Sequence, residues 1–317
     1  MPQVAVEGFA WMDGQVMPLA EARVSLATHA LHYGTGCFEG IRAYYNQSED
    51  ELYVLKMAEH YQRMAHSCRI LRINPGLTPE EMGQATLDLL RQANLKTDLY
   101  IRPLAYKAGL GLGLGLTGVA DAFAIYCVPL GHYHTAERPL RCCISSWIRP
   151  DDNALPVRAK VTGAYINSCL ASDDAKINGF DEAILLTADG HVSEGASCNL
   201  FMVKRGRLVT PPVTDAILEG ITRNTVIELA RDLGYAVEER KIDRTELYTA
   251  DELFLTGTAV EIRAVGEVDH RPIGDGAEGP ITRHIRETYE AAARGRDARY
   301  RSWVTPVFAS MPAAANS

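Results

Sequence analysis

The chain has 317 residues and a net charge of −8, with 47% hydrophobic and 23% charged residues. This length exceeds a typical domain of about 100–200 residues and predicts two domains with ample cores. The acidic balance argues against nucleic acid or an anionic membrane as a main partner, because both bind basic surfaces.

The first half of the chain has the patterns of an α+β domain. Thr78 is predicted to cap a helix, with Pro79 at its first position and Glu81 completing a capping box. The predicted elements are, in order, a hairpin turning at Asp13-Gly14, a strand over Leu52–Leu55, a helix from about Ala58, a helix from Pro79 to about Asn94, and strands over Leu99–Ala105 and Ala122–Pro129.

A polar segment over residues 132–140 separates the two halves and is the predicted linker. The expected division is an N-terminal domain over 1–131, a C-terminal domain over 141–310 and a disordered tail over 311–317. The elements predicted for the second half are strands over Arg141–Ser146, Glu182–Leu186, Asn199–Val203 and Glu252–Leu255, a helix over Tyr165–Gly179, and a helix capped by Thr222 that ends at Leu233-Gly234.

Cysteine usage and the N-terminus bear on the compartment. The seven cysteines include no Cys-x-x-Cys pair, which predicts reduced thiols and a cytoplasmic protein. Residues 1–4 lack the basic and apolar regions of a signal peptide, and no apolar run approaches the roughly 18 residues that a membrane span needs.

Two motifs are typical of dinucleotide binding and of metal binding, but the sequence around them lacks the features that those sites require. Gly113-x-Gly115-x-x-Gly118 matches a dinucleotide fingerprint, yet a strand-like run follows where the fingerprint requires a helix. A nicotinamide oxidoreductase is therefore disfavoured. His132-x-His134 has no third ligand at a suitable spacing, so no metal site is expected.

Three clusters carry residues suited to an anionic cofactor. Lys160 has small and apolar neighbours that could desolvate an amine nucleophile. Gly220-Ile221-Thr222 places amides and a hydroxyl at a predicted helix start, as an anion site does, and Thr256–Ala259 offers a second loop of amides. Glu194 follows a turn. From these residues alone, a surface lysine, a turn glutamate and an ordinary helix start are the simpler interpretation of the pattern.

A longer ordered set of motifs resembles the branched-chain aminotransferases, which are pyridoxal-phosphate (PLP) enzymes of fold-type IV. The resemblance extends from Trp11 to about Trp303. It implies a two-domain, D-amino-acid aminotransferase-like architecture with a smaller α+β N-terminal domain and a larger C-terminal domain that has a β-barrel-like core. The strings that carry it are His29–Arg42, Glu59-His60-x-x-Arg63, Tyr100-Ile101-Arg102-Pro103, Arg158–Tyr165, Ser193–Phe201, Gly220–Arg223 and Thr256–Ala259.

The resemblance implies PLP as the cofactor, held by Lys160 as a Schiff base, with the same amine acting as general base and acid. Glu194 is implied to bond the pyridine nitrogen and keep the ring protonated. The other implied cofactor contacts are Tyr165 on the phenolic oxygen and Arg63, Ile221, Thr222 and Thr258 on the phosphate.

The implied reaction is ping-pong transfer of the amino group of L-leucine, L-isoleucine or L-valine to 2-oxoglutarate. An apolar pocket edged by an arginine and phenolic hydroxyls can accept a branched side chain and a γ-carboxylate in turn. The loop Gly109–Gly118 is implied to reach a partner's site, so a homodimer, or a higher oligomer of dimers, is expected. The implied substrate contacts are Tyr33, Phe38, Tyr100, Arg102, Tyr133, Thr258 and Ala259.

Two departures from the family pattern affect specificity. Ser197-Cys198 stand where Gly-Glu is usual, and Leu130 stands where a tryptophan is common, which removes a rigid aromatic wall. We therefore expect a broader pocket, with side activity toward aromatic amino acids or (R)-amines. The alternatives on this scaffold are a transaminase of D-amino acids or (R)-amines and a PLP lyase, and the motif around Arg102 favours the branched-chain reaction.

Overall fold

The computed structural model describes residues 7–131 and 138–309. The chain divides into two compact units, one formed by Met1–Gly131 together with Glu290–Ser317 and the other by His132–Tyr289. No helix in the described ranges is both long enough and apolar enough to span a membrane.

The elements of the described residues are as follows. The strands are β1 (Phe9–Met12), β2 (Gln15–Pro18), β3 (Gly36–Phe38), β4 (Ile41–Asn46), β5 (Glu51–Leu55), β6 (Leu99–Lys107), β7 (Asp121–Pro129), β8 (Leu140–Ile148), β9 (Glu182–Leu186), β10 (Val192–Gly195), β11 (Asn199–Lys204), β12 (Arg207–Thr210), β13 (Val237–Glu239), β14 (Glu252–Gly257), β15 (Glu261–Val268), β16 (Arg271–Pro272) and β17 (Val304–Pro306). The helices are α1 (His29–Tyr33), α2 (Met57–Ile70), α3 (Pro79–Ala93), α4 (Tyr165–Ile177), α5 (Ile221–Asp232), α6 (Arg244–Leu247) and α7 (Pro280–Ala293), with 3₁₀ turns at Leu19–Glu21 and Ala298–Trp303.

The first unit is an antiparallel sheet covered by two helices. The strand order is β17-β5-β4-β6-β7-β1-β2, with β3 paired to β6. One face buries Tyr61 and Met64 of α2 and Leu89 of α3 against Ile101 and its neighbours in the sheet. Helix α3 starts with the predicted capping box, in which the Thr78 hydroxyl and the Glu81 carboxylate each accept the other residue's backbone N–H. This α+β prediction is confirmed.

The end of the described chain joins the first unit, which differs from a continuous C-terminal domain over 141–310. Strand β17 pairs antiparallel with β5. The buried Glu51 carboxylate then accepts the backbone N–H groups of Val307, Phe308 and Ala309 at 2.7–3.0 Å. A sheet edge needs backbone partners, and no local pattern reveals which distant segment will supply them.

The second unit contains a mixed sheet that curls. Its order is β10-β9-β8-β15-β14-β11-β12-β13, with parallel pairs β9–β8, β8–β15 and β12–β13. Strands β10 and β11 lie five places apart in this order, yet only residues 196–198 connect them. Because three residues span at most about 11 Å, the sheet must bend back towards β10, which gives the expected barrel-like core.

Two boundaries differ from the sequence predictions. Helix α5 begins at Ile221 with Gly220 as its N-cap, so the predicted capping role of Thr222 is wrong. Of the predicted linker, residues 132–137 lie outside the described residues. Arg138 belongs with the second unit, where its guanidinium donates two hydrogen bonds of 2.7 and 2.9 Å to Asp181. Sequence reasoning also missed several elements, namely the strands β3, β4, β10, β12, β13, β15, β16 and β17 and the helices α1, α6 and α7.

Candidate active site

Lys160 lies in a series of tight turns that lead into α4. Its neighbours Ala159 and Val161 are buried and anchor the backbone, while the lysine side chain is partly exposed. Tyr165 is the first residue of α4, and the Lys160 amine donates a 2.7 Å hydrogen bond to its hydroxyl. The two residues that the sequence singled out in this cluster are therefore in direct contact.

Glu194 is buried where strand β10 is irregular. The pairing of β10 with β9 shifts between Val192 and Gly195, so Ser193 and Glu194 are both buried although they are consecutive. Asn199 donates a 2.9 Å hydrogen bond to Oε2 of Glu194, and the backbone N–H of Leu218 donates one of 3.2 Å. Burial raises the pKa of Glu194, and the strongest opposing influence is the guanidinium of Arg149.

At the start of α5 the backbone of Gly220 lies very close to the side chain of Asn199. The Asn199 amide also donates to the carbonyl of Leu218 at 2.9 Å, and a methyl group on Gly220 would overlap the Asn199 side-chain oxygen. Helix α5 follows at once, with partly buried Ile221 and buried Thr222 in its first turn. The first backbone N–H groups of a helix have no partners within it and attract anions.

The turn between β14 and β15 contains Thr258 and Ala259, both partly buried. Just before it, the hydroxyl of Thr256 is fully buried and has no hydrogen-bond partner among the described residues. An unsatisfied buried hydroxyl costs about 1–3 kcal/mol, which a polar ligand can offset.

Arg63, the residue matched to the phosphate contact, forms a buried ion pair within the first unit. Its Nε and Nη2 each lie 2.7 Å from an oxygen of Glu39, and Nδ1 of His60 lies 2.8 Å from the same carboxylate. Burial would raise the pKa of Glu39, but Arg63 and His60 hold it well below its usual range. Sequence reasoning missed this anchoring carboxylate, although Glu39 stands inside one of the quoted strings.

The first unit also brings together three of the matched substrate residues. The Arg102 guanidinium lies 4.5 Å from the centroid of the Phe38 ring and 5.0 Å from that of Tyr100. Its Nη2 donates a 2.8 Å hydrogen bond to the Tyr100 hydroxyl. A methyl group on Gly40 would overlap that hydroxyl, so glycine is needed for this tyrosine position.

For the remaining candidates, Tyr33, Tyr133 and the loop 109–118, the described part of the chain gives fewer contacts or none. Tyr33 ends α1, and its hydroxyl accepts a 3.4 Å hydrogen bond from the backbone of Gly113. Tyr133, matched to the substrate contact, lies outside the described residues together with His132 and His134. The loop 109–118 joins the antiparallel strands β6 and β7, so it lacks the helix that a dinucleotide fingerprint requires.

Two residues near Glu194 were missed by sequence reasoning. Asn199 stood inside a quoted string, whereas nothing in the local pattern marked Arg149, which lies 45 residues before Glu194. The second unit thus combines an amine–phenol pair, a buried carboxylate with charged and neutral donors, a helix start, and a buried hydroxyl with no hydrogen-bond partner among the described residues. This donor set fits a phosphorylated, nitrogen-containing aromatic cofactor such as PLP.

The comparisons with known proteins agree with this class of site. The model of the family described as amino-transferase class IV matches residues 36–268, and the chain belongs to this family. A probable branched-chain-amino-acid aminotransferase of Aquifex aeolicus (strain VF5) is 47% identical over 301 residues, covering 95% of this chain and 97% of that protein.

Solved structures extend the likeness to the fold. The branched-chain aminotransferase from Thermoproteus uzoniensis with norvaline has 42% identity and a TM-score of 0.91, covering 95% of this chain and 100% of that one. The branched-chain amino acid aminotransferase from Thermobaculum terrenum in its PLP-form has 41% identity and a TM-score of 0.91, covering 96% of this chain and 99% of that one. The expected fold-type IV architecture is confirmed.

Proposed function

We propose that this chain is a PLP-dependent branched-chain aminotransferase. It transfers the amino group of L-leucine, L-isoleucine or L-valine to 2-oxoglutarate by a ping-pong route, giving branched 2-oxo acids and L-glutamate. The substrate class is supported by relatives named for it at up to 47% identity over nearly the whole chain. These names favour the branched-chain reaction over transamination of D-amino acids.

The observation that carries the chemistry is the 2.7 Å contact between the Lys160 amine and the Tyr165 hydroxyl. When bound, PLP supplies an electron sink for negative charge at the substrate α-carbon. The Lys160 amine holds the cofactor and later moves the proton at that carbon, and Tyr165 orients the amine. Glu194 would hold the ring nitrogen, where an ionised carboxylate would keep a proton on that atom.

The phosphate is assigned to the first turn of α5, where Ile221 and Thr222 supply backbone and hydroxyl donors, with Thr258 from the β14–β15 turn. Arg63 is assigned to the same phosphate on the family resemblance. Its bidentate pair with Glu39 holds the guanidinium plane in one orientation, which suits directed hydrogen bonds to phosphate oxygens.

Substrate selection is assigned to the first unit. The Arg102 guanidinium lies close to the aromatic rings of Phe38 and Tyr100, so this cluster combines apolar surface with one cation. Such a surface accepts a branched side chain by apolar contact and a γ-carboxylate by charge. The α-carboxylate is assigned to Thr258, Ala259 and Tyr100, and Tyr33 and Tyr133 complete the proposed substrate contacts.

We also propose that the enzyme is cytoplasmic and at least a homodimer, and that it can form a higher oligomer of dimers. All seven cysteines are free thiols, which suits a reducing compartment. Leu110, Leu112 and Leu114 of the glycine-rich loop are 66%, 93% and 81% exposed, and large exposed apolar side chains in one loop favour a covering partner. Light scattering coupled to gel filtration tests the oligomeric state.

The visible absorption spectrum of the purified protein tests the function. A yellow band that bleaches with L-leucine and returns with 2-oxoglutarate is expected, and Lys160→Ala should abolish it. A yellow band that does not change when L-leucine is added would instead indicate a transaminase of D-amino acids or (R)-amines, or a lyase. No band after incubation with PLP would overturn the proposal.

A further inference from the structure

Arg149 directly follows strand β8 and is almost completely buried, with 8% of its surface exposed. Its backbone N–H donates to the carbonyl of Leu186 at 2.9 Å, and its Nε donates to the carbonyl of Ala216 at 3.3 Å. These two bonds aim the guanidinium, whose Nη2 lies 2.9 Å from Oε1 of Glu194. Two hydrogen bonds to backbone carbonyls therefore fix Arg149 in the position from which it contacts the carboxylate.

The other groups around Glu194 cannot replace this charge. Asn199 and the backbone N–H of Leu218 are neutral donors, and both bond Oε2. Lys160 and Arg223 also favour the ionised carboxylate. However, the Lys160 amine bonds the Tyr165 hydroxyl, and Arg223 bonds Glu239 at 2.7 Å. Cys198, the remaining titratable group that responds to Glu194, is an uncharged buried thiol.

We infer that Arg149 is a positioning residue that keeps Glu194 ionised and thereby keeps the proton on the ring nitrogen of the bound cofactor. The inference rests on the proposed function. A carboxyl group buried this deeply takes up a proton unless a charged partner opposes it. A neutral Glu194 would donate its proton to the ring nitrogen's lone pair as a hydrogen bond, and the ring would lose its positive charge. An uncharged ring is a weaker electron sink.

The test is ¹⁵N NMR of holoenzyme loaded with PLP labelled at the ring nitrogen, because the chemical shift reports directly whether that atom is protonated. We expect a protonated nitrogen near pH 7.5 in the wild type and in Arg149→Lys, and an unprotonated one in Arg149→Met. The bleaching rate with L-leucine should fall by at least about tenfold in Arg149→Met, the factor that corresponds to one pKa unit.

A double-mutant comparison separates this role from general packing. If Arg149 acts only through the charge of Glu194, the ring nitrogen in Arg149→Met/Glu194→Gln should match that in Glu194→Gln alone. Should Arg149→Met fail to fold, Arg149→Gln keeps a donor without the charge and should also leave the nitrogen unprotonated.

The experiment distinguishes a failure of the inference about Arg149 from a failure of the proposed function. A ring nitrogen that stays protonated in Arg149→Met or Arg149→Gln overturns the inference and leaves the proposed function intact. A wild-type protein that takes up no labelled PLP overturns the proposed function itself.

Discussion

A methyl group on Gly220 would overlap the side-chain oxygen of Asn199, the residue whose amide bonds both Glu194 and the carbonyl of Leu218. One asparagine therefore links the carboxylate assigned to the ring nitrogen with the N-cap of the helix assigned to the phosphate. The φ angle of Gly220 is −66°, which any residue can adopt, so glycine is required here for space alone.

Gly220→Ala should push Asn199 and the start of α5 apart. Overpacking of this kind costs about 1–3 kcal/mol, and we expect PLP affinity to fall about tenfold, which corresponds to 1.4 kcal/mol. Fluorescence titration measures the affinity for PLP and for pyridoxal, which lacks the phosphate. The comparison shows whether the loss of affinity depends on the phosphate. Loss confined to PLP supports the assigned phosphate site, and an equal loss for both ligands contradicts it.

Gly83→Ala is the matched control for that experiment. Gly83 lies in α3 of the first unit, and an added methyl group would meet the flexible end of Met57 at 3.3 Å. The change should leave PLP affinity unaltered, because neither residue belongs to the assigned cofactor site.

Glu39→Gln should destabilise the protein by about 3–5 kcal/mol at pH 7, because it removes one partner of a buried ion pair. The native pKa of Glu39 is lowered, so its contribution is present above the unfolded value of about 4.3 and disappears as pH falls through the native pKa. The stability gap between wild type and variant should therefore narrow below about pH 4. Urea unfolding across pH measures it.

Glu49→Gln is the matched control, because Glu49 pairs with Arg301 at 2.7 Å on the surface of the same unit. The hydrogen bonds of Arg301 and Tyr53 lower the pKa of Glu49 to about 2, but the pair is exposed. Exposed pairs contribute about 0–1 kcal/mol. A loss in Glu39→Gln no larger than in Glu49→Gln would refute the assigned importance of the buried pair.

Arg102→Leu should separate the two half-reactions. The γ-carboxylate of glutamate loses a charge-assisted hydrogen bond worth about 1.5–3 kcal/mol, so its half-reaction should weaken by roughly 10- to 150-fold. The L-leucine half-reaction, which needs only apolar contact at this edge, should change little. Single-turnover spectroscopy with each amino acid measures both. Equal losses would instead indicate a structural role for Arg102.

The range of amino donors that the enzyme accepts tests the effect of Leu130, which stands where a tryptophan is common in the family. Wild type should accept L-phenylalanine and (R)-1-phenylethylamine as slow donors, because no tryptophan narrows the predicted pocket wall. Leu130→Trp should reduce these side activities by about tenfold or more, since an overpacked pocket rejects larger groups at about 1–3 kcal/mol. L-leucine serves as the internal control. Wild-type activity confined to branched-chain donors would rule out the broader pocket.

Much of the local structure could be predicted because its signals lie within a few residues of each other. The capping box of Thr78 and Glu81 and the strands around loop 109–118 are examples. The start of α5 could not be placed, because the contact that sets it joins Gly220 to Asn199, which is 21 residues away. Likewise, β17 pairs with β5, where Val304 lies opposite Leu55 although the two are 249 residues apart, and no periodicity encodes such a pairing.

The sequence by itself determined the family and the identity of the chemical groups, because a lysine, a tyrosine and a glutamate keep their functional groups wherever they lie. Only the tertiary structure decided the state of those groups. It buried Glu194 beside Arg149 and Glu39 beside Arg63, pairs that lie 45 and 24 residues apart. Burial and a partner's charge set the protonation of a carboxyl group, and both arise only when distant segments pack together.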